Sequence, residues 1–338
     1  MRKYKFLLAL LLALALLLAA CGGDEQGNGD TPPAPQPVQH PLTGETVDEL
    51  LPRAYLVSLG NTEAAQPQHG LTEADIIYEI PVESGISRLF ALYYGELPEV
   101  IGPVRSVRDY IVDLAREWDA VLVHCGWSEA ARLYLSSELV DYVNELTNGQ
   151  QYFWRSADRK APHNLYTSGE NMAQMLVDKG FDAKESDVPA YRFMDKGEKY
   201  RGNYVNALHI YYGISQAGFL YDEESDSYLR FTKTDAHVDA ATDEQLTAKA
   251  IIVQYVHTAV VDDEGRLAMS LAGEGEAQLF VNGIIREGYW QRDSLDEHTY
   301  FYDDETKQTW ALPGGQLWIE IADGSTVVVY DEVEAESK

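Results

Sequence analysis

The sequence predicts an α/β N-terminal domain with a βαβ-type mixed sheet, followed by a smaller, mostly antiparallel β-rich (α+β) C-terminal domain. In the first part of the 338-residue chain, short apolar runs typical of buried strands alternate with segments of helical periodicity. Beyond a polar stretch near residue 195, extended segments and hairpin signals take their place. The chain is also long enough to form one large domain or two ordinary ones.

The first residues have the pattern of a lipoprotein signal. A basic start precedes an apolar run that is too short to span a membrane comfortably. The run ends in Leu18-Ala19-Ala20-Cys21, which resembles a bacterial lipobox. We predict a signal peptide over residues 1–20 and acylation of Cys21, with palmitate for example; an ordinary secretory signal is the alternative. The lipid would anchor the protein on the extracytoplasmic side of the bacterial cell membrane.

Composition narrows the range of partners. With 26 basic against 55 acidic side chains and a formal charge of -29, most of the surface repels nucleic acid. We therefore predict no nucleic-acid partner, and no motif indicates a cofactor; protein partners and oligomeric state are left open. The chain has two cysteines, and lipidation of Cys21 would leave Cys125 alone, which excludes an internal disulfide.

Composition also divides the chain into five segments. The predicted signal peptide, residues 1–20, precedes a tether rich in Gly, Pro and Gln at residues 21–40. We expect the N-terminal domain over residues 41–195, the C-terminal domain over residues 196–331 and an acidic tail over residues 332–338.

The N-terminal domain is predicted to be organised around residues 101–126, IGPVRSVRDYIVDLAREWDAVLVHCG. Ser106 and Asp109 form a capping-box-like start, a helical apolar periodicity follows, and residues 120–123 are typical of a buried strand. Together with the apolar run at residues 88–94, this order predicts a right-handed βαβ unit. Further helices are expected at residues 128–135, 136–146 and 172–179, the last ending at Gly180.

Two basic stretches stand out in so acidic a chain. Arg105 and Arg108 flank the predicted helix start, where free N–H groups and the helix dipole favour anions. The second stretch, FWRSADRKAPHNLYT at residues 153–167, is a proline-interrupted loop flanked by aromatic residues. The first stretch suits a phosphate or carboxylate, and the second suits sugars, nucleotides or phosphorylated polymers, unless their basic residues pair with neighbouring acids. The predicted ligand-binding residues are Arg88, Arg105, Arg108, Arg159, Lys160, His163 and Asn164.

Glu79, Glu83 and His124 are the candidates for acid–base chemistry. The two glutamates lie in and just after an apolar run, and His124 follows the predicted strand at residues 120–123. A glutamate near a strand end more often pairs with a neighbouring arginine, and His124 equally suits a packed, hydrogen-bonded histidine. His124 and Cys125 point to opposite faces of a strand, which argues against a local Cys–His pair.

The C-terminal domain is predicted from strands and turns. Asn282-Gly283 between apolar runs indicates a hairpin.

Asp235, His237 and Asp239 alternate, so an extended segment would present all three on one side. They are candidates for a divalent metal, although their spacing is not diagnostic.

Three segments, YEIPVESGISRLFALYY, IGPVRSVRDYIVDLAREWDAVLVH and DRKAPHNLYT, resemble the YerB-like bacterial lipoproteins, a family with a domain of unknown function (3048). The similarity runs from Pro41 nearly to the end and includes HVDAATDEQLTAKAIIVQ and LPGGQLWIEI. The resemblance implies N- and C-terminal domains on a lipid anchor and brings no settled reaction. The family's motif positions match Glu79, Glu83, Arg88, Arg105, Arg108, His124, Arg159, His163 and Asn164.

Two positions depart from the family pattern. Cys125 stands where a small residue is expected, so a nucleophile is not indicated there. Ala65-Gln66-Pro67-Gln68 replaces an Arg-Pro-Gln turn, which puts the basic contact of that loop in doubt.

The sequence favours a surface lipoprotein that binds an anionic ligand, a cell-envelope polymer or phosphorylated metabolite, at an Arg/His-lined cleft. The alternative is a cell-envelope hydrolase or transferase in which Glu83 or His124 is the acid/base and arginines stabilise developing negative charge. The sequence has no Ser- or Cys-nucleophile motif, Walker loop or HExxH, which favours binding. A solute-binding lipoprotein of an importer is disfavoured, because the chain lacks two similar α/β halves.

Overall fold

Strands make up most of the secondary structure in this computed structural model, which describes residues 37–195 and 197–333. The α-helices of the described chain are α1 (Asp109–Glu117), α2 (Glu129–Leu135) and α3 (Gly169–Lys179). Short 3-10 segments lie at Glu63–Ala65, Glu83–Gly85, Gln150–Tyr152 and Phe181–Ala183. The strands are β1 (Val38–Gln39), β2 (Thr46–Val47), β3 (Tyr55–Gly60), β4 (Ile76–Pro81), β5 (Ser87–Tyr93), β6 (Val121–His124), β7 (Tyr142–Asn144), β8 (Trp154–Arg155), β9 (Leu165–Tyr166), β10 (Arg192–Phe193), β11 (Tyr204–Tyr211), β12 (Gln216–Asp222), β13 (Ser227–Thr232), β14 (Asp235–Ala236), β15 (Thr247–Ala248), β16 (Ala250–Tyr255), β17 (Thr258–Val260), β18 (Leu267–Met269), β19 (Gly273–Val281), β20 (Ile284–Arg292), β21 (Tyr300–Asp303), β22 (Ala311–Leu312), β23 (Leu317–Ala322) and β24 (Val327–Val333).

The predicted signal peptide, Cys21 and the tether up to residue 36 lie outside the described residues. β1 already pairs with β2, and His40 is buried, so folded structure begins a few residues before Pro41. At the other end β24 continues into the predicted acidic tail. In the part of the chain that the structure describes, no helix is long and apolar enough to cross a membrane.

Sixteen strands of the described chain form one sheet. β6 is parallel to β3 and to β7, whereas β5 is antiparallel to both β3 and β4. On the other side of β16, the pairings through β19, β20, β11, β12 and β13 are antiparallel. The predicted mixed N-terminal sheet and mostly antiparallel C-terminal part are therefore confirmed. The strand order is β14-β13-β12-β11-β20-β19-β16-β23-β4-β5-β3-β6-β7, with β15 beside β13, β21 beside β20 and β24 beside β11.

Strand β23 comes from the end of the chain but lies in the middle of the sheet, parallel to both β16 and β4. β4 (IIYEIP) and β23 (LWIEIA) are buried along their whole length, as expected for apolar strands that are covered on both faces. The sheet therefore runs without interruption from the N-terminal into the C-terminal part. The domain boundary at residue 195 stays a prediction.

Two predictions around the central helix are wrong. β6 pairs in parallel with β3 and β7 and not with β5, which is antiparallel to β3, so the expected βαβ unit does not form from β5. The N-cap of α1 is Arg108, which makes no side-chain cap bond, so Ser106 lies in the preceding loop and forms no capping box. Helix and strand themselves form as predicted.

The helix that was predicted over residues 136–146 is also wrong. Tyr142–Asn144 is strand β7, which pairs with β6, and Val143 is fully buried. Pairing with a neighbouring strand overrides the local periodicity here, because tertiary packing outweighs the small differences in intrinsic propensity.

Other local signals are confirmed. Ser168 accepts a bond from the amide of Asn171 (3.1 Å) at the start of α3, and Gly180 ends that helix with a left-handed φ of 69°. Asn282 and Gly283, with φ of 51° and 74°, connect β19 to β20 as a two-residue hairpin. α1 and α3 cover opposite faces of the sheet.

Candidate functional site

The two basic stretches meet at the carboxyl ends of the parallel strands β3 and β6. The amide of Arg105 donates to Ser58 O (2.8 Å) on β3, and the amide of Cys125 donates to Arg105 O (2.9 Å) after β6. Val104 N donates to Leu165 O (2.8 Å) in the second stretch. Tertiary structure thus joins segments that lie about sixty residues apart, at the kind of sheet edge where α/β proteins bind ligands.

Arg105, Arg159 and His163 form a group that we call the basic cluster. Arg105 Nη1 donates to Pro162 O (3.1 Å), and Arg159 donates to two backbone oxygens in the loop at residues 61–70. Burial, and then the charges of Arg105 and Arg159, lower the pKa of His163, so its ring is neutral at pH 7. Its Nδ1 is buried without a hydrogen-bond partner among the described residues.

Neither guanidinium of the basic cluster has a carboxylate within 4.0 Å in the described chain. Other arginines, such as Arg53 and Arg116, form such ion pairs. Burial and the nearby charge of Arg108 lower the pKa of Arg105. Uncompensated, half-buried positive charge is unusual in a chain in which acids outnumber bases two to one.

Arg108, in contrast, is paired with Glu83, which also lies near Arg88. Arg108 donates from both Nε (3.1 Å) and Nη2 to the Glu83 carboxylate, and Arg88 Nη2 lies 4.0 Å from it. Burial acts to raise the pKa of Glu83, but the bonds and charges of the two arginines outweigh it and the net pKa is lowered. Glu83 is therefore ionised at neutral pH, and Arg105 and Arg159 are the predicted ligand-binding arginines that have no carboxylate within 4.0 Å in the described chain.

The rest of the second stretch shapes the surface beside the basic cluster. Asn164 is buried, accepts from Arg155 Nη1 (3.1 Å) and donates to a backbone oxygen of its own loop (3.1 Å), so it holds the loop in place. Lys160 is exposed. Trp154 stacks on Tyr166 with 6.1 Å between ring centroids.

The contacts of His124 give its predicted acid–base role no support. His124 is fully buried; its Nδ1 lies 2.9 Å from Gly126 O, and its ring packs against Trp127 and Tyr142. Burial lowers its pKa to about 4, so the ring stays neutral and away from solvent. His124 is thus the packed, hydrogen-bonded histidine of the alternative interpretation. Glu83, the other candidate acid/base, is bonded to Arg108.

Cys125 has the properties of a structural thiol. Its Sγ donates to Glu145 Oε2 (3.2 Å). Burial, and then the neighbouring Glu145, raise its pKa to about 11, which keeps the thiol protonated and unreactive at neutral pH.

The structure does not support Asp235, His237 and Asp239 as a metal site. β14 ends at Ala236, so the alternation that would align the three side chains is lost, and Asp235 is exposed. His237 Nε2 bonds to Gln68 Oε1 (2.7 Å), and Asp239 accepts bonds from backbone amides. No group of three or more His, Cys, Asp or Glu side chains is arranged for a metal in the described residues.

Sequence reasoning missed a buried ionic group formed by Glu79, Arg230 and Glu320. All three are fully buried, Arg230 Nη2 donates to Glu79 Oε2 (2.5 Å), and Glu320 stands beside Glu79 in the register of β23 and β4. Burial, and then the charge of Glu79, raise the pKa of Glu320 to about 8. Glu79 is thus sealed in the core, which gives its predicted acid–base role no support.

A sequence signal for this group does exist. β4 and β23 each carry a single glutamate inside an otherwise apolar run, IIYEIP and LWIEIA. A charge within such a strand requires a buried counter-charge, because an unpaired one is too costly to bury. The identity of that partner, 151 residues away at Arg230, is not visible locally.

Comparisons with known proteins identify the family. The family described as "Protein of unknown function (DUF3048) N-terminal domain" matches residues 42–182, and its C-terminal domain matches residues 208–319. The chain is 31% identical over 300 residues to "Putative lipoprotein YerB" of Bacillus subtilis (strain 168), which covers 86% of this chain and 88% of that protein. The crystal structure of the YerB protein from Bacillus subtilis matches with a TM-score of 0.77 at 27% identity, over 86% of this chain and 99% of that chain. The chain therefore belongs to the YerB-like DUF3048 family.

Proposed function

We propose that this protein is an extracytoplasmic lipoprotein, anchored through Cys21, that binds an anionic ligand of the cell envelope at the basic cluster. The name of the Bacillus relative refers to a lipoprotein, and this chain carries Leu18-Ala19-Ala20-Cys21 after an apolar run. Both support the lipid anchor. Such an anchor keeps the folded part at the membrane surface, among the polymers of the envelope.

The observation that carries the ligand proposal is the missing counter-charge at Arg105 and Arg159. Backbone oxygens hold both guanidinium groups, and these oxygens use one hydrogen-bond donor atom of Arg105 and two of Arg159. A guanidinium offers five N–H donors in a rigid fork that matches phosphate and carboxylate. The unused donors are therefore available to an anion, which would replace the counter-charge that the protein does not supply.

The surroundings favour a polymer over a small free anion. Lys160 adds an exposed positive charge, and Trp154, which stacks on the buried Tyr166, adds an exposed aromatic ring. The remaining surface is strongly acidic and repels a polyanion, which would confine binding to this patch. A phosphorylated metabolite is the smaller ligand of the same chemistry.

Isothermal titration calorimetry of the full chain in neutral detergent micelles tests the proposal. Inorganic polyphosphate serves as the polymeric probe, inorganic phosphate as the small one, and poly-L-glutamate as the carboxylate probe. We expect polyphosphate to bind most tightly, with an affinity that falls as the salt concentration rises.

The matched variants are Arg105→Ala, Arg159→Ala and, as the control, Arg201→Ala. Arg201 is exposed, lies outside the basic cluster and has no carboxylate within 4.0 Å of its guanidinium among the described residues. Each cluster substitution should weaken binding about tenfold, the usual effect of losing a charge-assisted hydrogen bond. Equal binding by all variants, or no binding of any probe, would refute the proposal.

A further inference from the structure

A cavity of about 170 Å³ lies between the chain segment that enters β10 and strands β16, β21 and β22. None of its lining residues belongs to the basic cluster or to the buried ionic group. Its walls are mainly aromatic and apolar, from Tyr191, Ile252, Phe301 and Trp310. An apolar cavity of about 150 Å³ takes up benzene, so this one has room for a single aromatic ring.

The indole of Trp310 forms one aromatic wall of the cavity. Trp310 stacks on Phe301 with 6.1 Å between centroids and 5° between planes, and it is 3% exposed. Its Nε1 has almost no accessible surface, so the indole contributes apolar surface to the cavity and no hydrogen-bond donor that a ligand can reach.

Arg192 supplies positive charge at the opening of the cavity. It lines the cavity, is exposed to solvent, and is held by a bond from its Nη1 to Thr309 O (3.1 Å). Its guanidinium has no carboxylate within 4.0 Å in the described chain, although acids outnumber bases two to one in the sequence. The remaining N–H groups are therefore free to bind an acid group that projects from the cavity.

We propose that this cavity binds a small aromatic monocarboxylate. The ring fills the apolar volume beside Trp310, and the carboxylate binds the guanidinium of Arg192. Each part of the ligand thus meets a matching feature of the site. The site is independent of the anion binding that is proposed for the basic cluster.

Calorimetric titration of the full chain with benzoate tests this site. Benzyl alcohol supplies the ring without the charge, and acetate supplies the charge without the ring. Benzoate should bind better than either benzyl alcohol or acetate. Failure of benzoate to bind at concentrations up to about 10 mM would overturn the proposal.

Two variants assign the charged contact. Arg192→Gln should weaken benzoate binding at least about tenfold, whereas Arg201→Gln, the exposed control, should bind as the wild type does. The NMR signal of the Trp310 indole N–H, identified by its absence from the spectrum of Trp310→Phe, should shift when the wild type binds benzoate. Unchanged affinity in Arg192→Gln would overturn the proposal even if Trp310→Phe fails to fold.

Discussion

Replacing Glu320 by glutamine should change how the stability of this protein depends on pH. Glu320 and Glu79 are fully buried neighbours on adjacent parallel strands, and Arg230 bonds to Glu79. Burial, and then the charge of Glu79, raise the pKa of Glu320 from an ordinary value of 4.5 to about 8. The folded protein thus keeps a proton on Glu320 at pH values where the unfolded chain has released it.

The sign and size of the effect follow from this difference. Stability that depends on the proton is fully present below pH 4.5 and is lost as the pH rises to about 8. The loss amounts to about 5 kcal/mol at most, from 1.36 kcal/mol for each pKa unit. Glutamine cannot ionise but still offers an oxygen to the Tyr212 hydroxyl, which donates to Glu320 at 2.6 Å.

Urea unfolding at intervals between pH 5 and pH 9, followed by circular dichroism, measures the effect. We expect wild type and Glu320→Gln to be similarly stable at pH 5, and the variant to be more stable by several kcal/mol at pH 9. Glu99→Gln, at an exposed position, should parallel the wild type. A stability difference between Glu320→Gln and wild type that stays constant over this range would refute the reasoning.

Two further substitutions test the buried ion pair of Glu79 with Arg230 and a close backbone contact at Gly288. Arg230→Met leaves Glu79 buried without its cation and should lower the free energy of unfolding at pH 7 by about 3–5 kcal/mol in urea titrations; a loss no larger than that of the exposed-site variant Arg201→Met would contradict this. Gly288→Ala places a Cβ 2.0 Å from Tyr302 O and 2.5 Å from Trp310 Cζ2, so the backbone must shift at a cost of about 1–3 kcal/mol. Thermal unfolding should show this loss but none for Gly324→Ala, where nothing lies within 4 Å; equal melting temperatures would show that the contact relaxes freely.

Sequence patterns predicted those features that depend on a few consecutive residues. The hairpin at Asn282-Gly283 and the end of α3 at Gly180 require a left-handed backbone, which Gly and Asn adopt most readily. The apolar run at residues 120–123 predicted the buried strand β6. The helix expected over residues 136–146 failed because pairing of β7 with β6 outweighed a local preference.

The candidate site shows the same division. The two basic stretches were visible in the sequence, and their residue types indicated affinity for anions. The sequence did not reveal that Glu83 neutralises Arg108, or that Arg105 and Arg159 bond only to backbone oxygens in the described contacts. Arg105, Arg108 and Arg159 carry the same charge, but among them only Arg108 is paired with a carboxylate in the described contacts.

The sequence by itself determined the strand-rich composition, the local turns and helix ends, and the excess of acid against which any uncompensated arginine stands out. Tertiary structure alone decided which charges meet: Glu83 and Arg108 are 25 residues apart in the chain, and Glu79 and Arg230 are 151 apart. The physical reason is the distance along the chain over which each interaction acts. Backbone preferences act over a few neighbouring residues, whereas the compensation of a charge depends on whichever side chain the folded sheet places within a few ångströms of it.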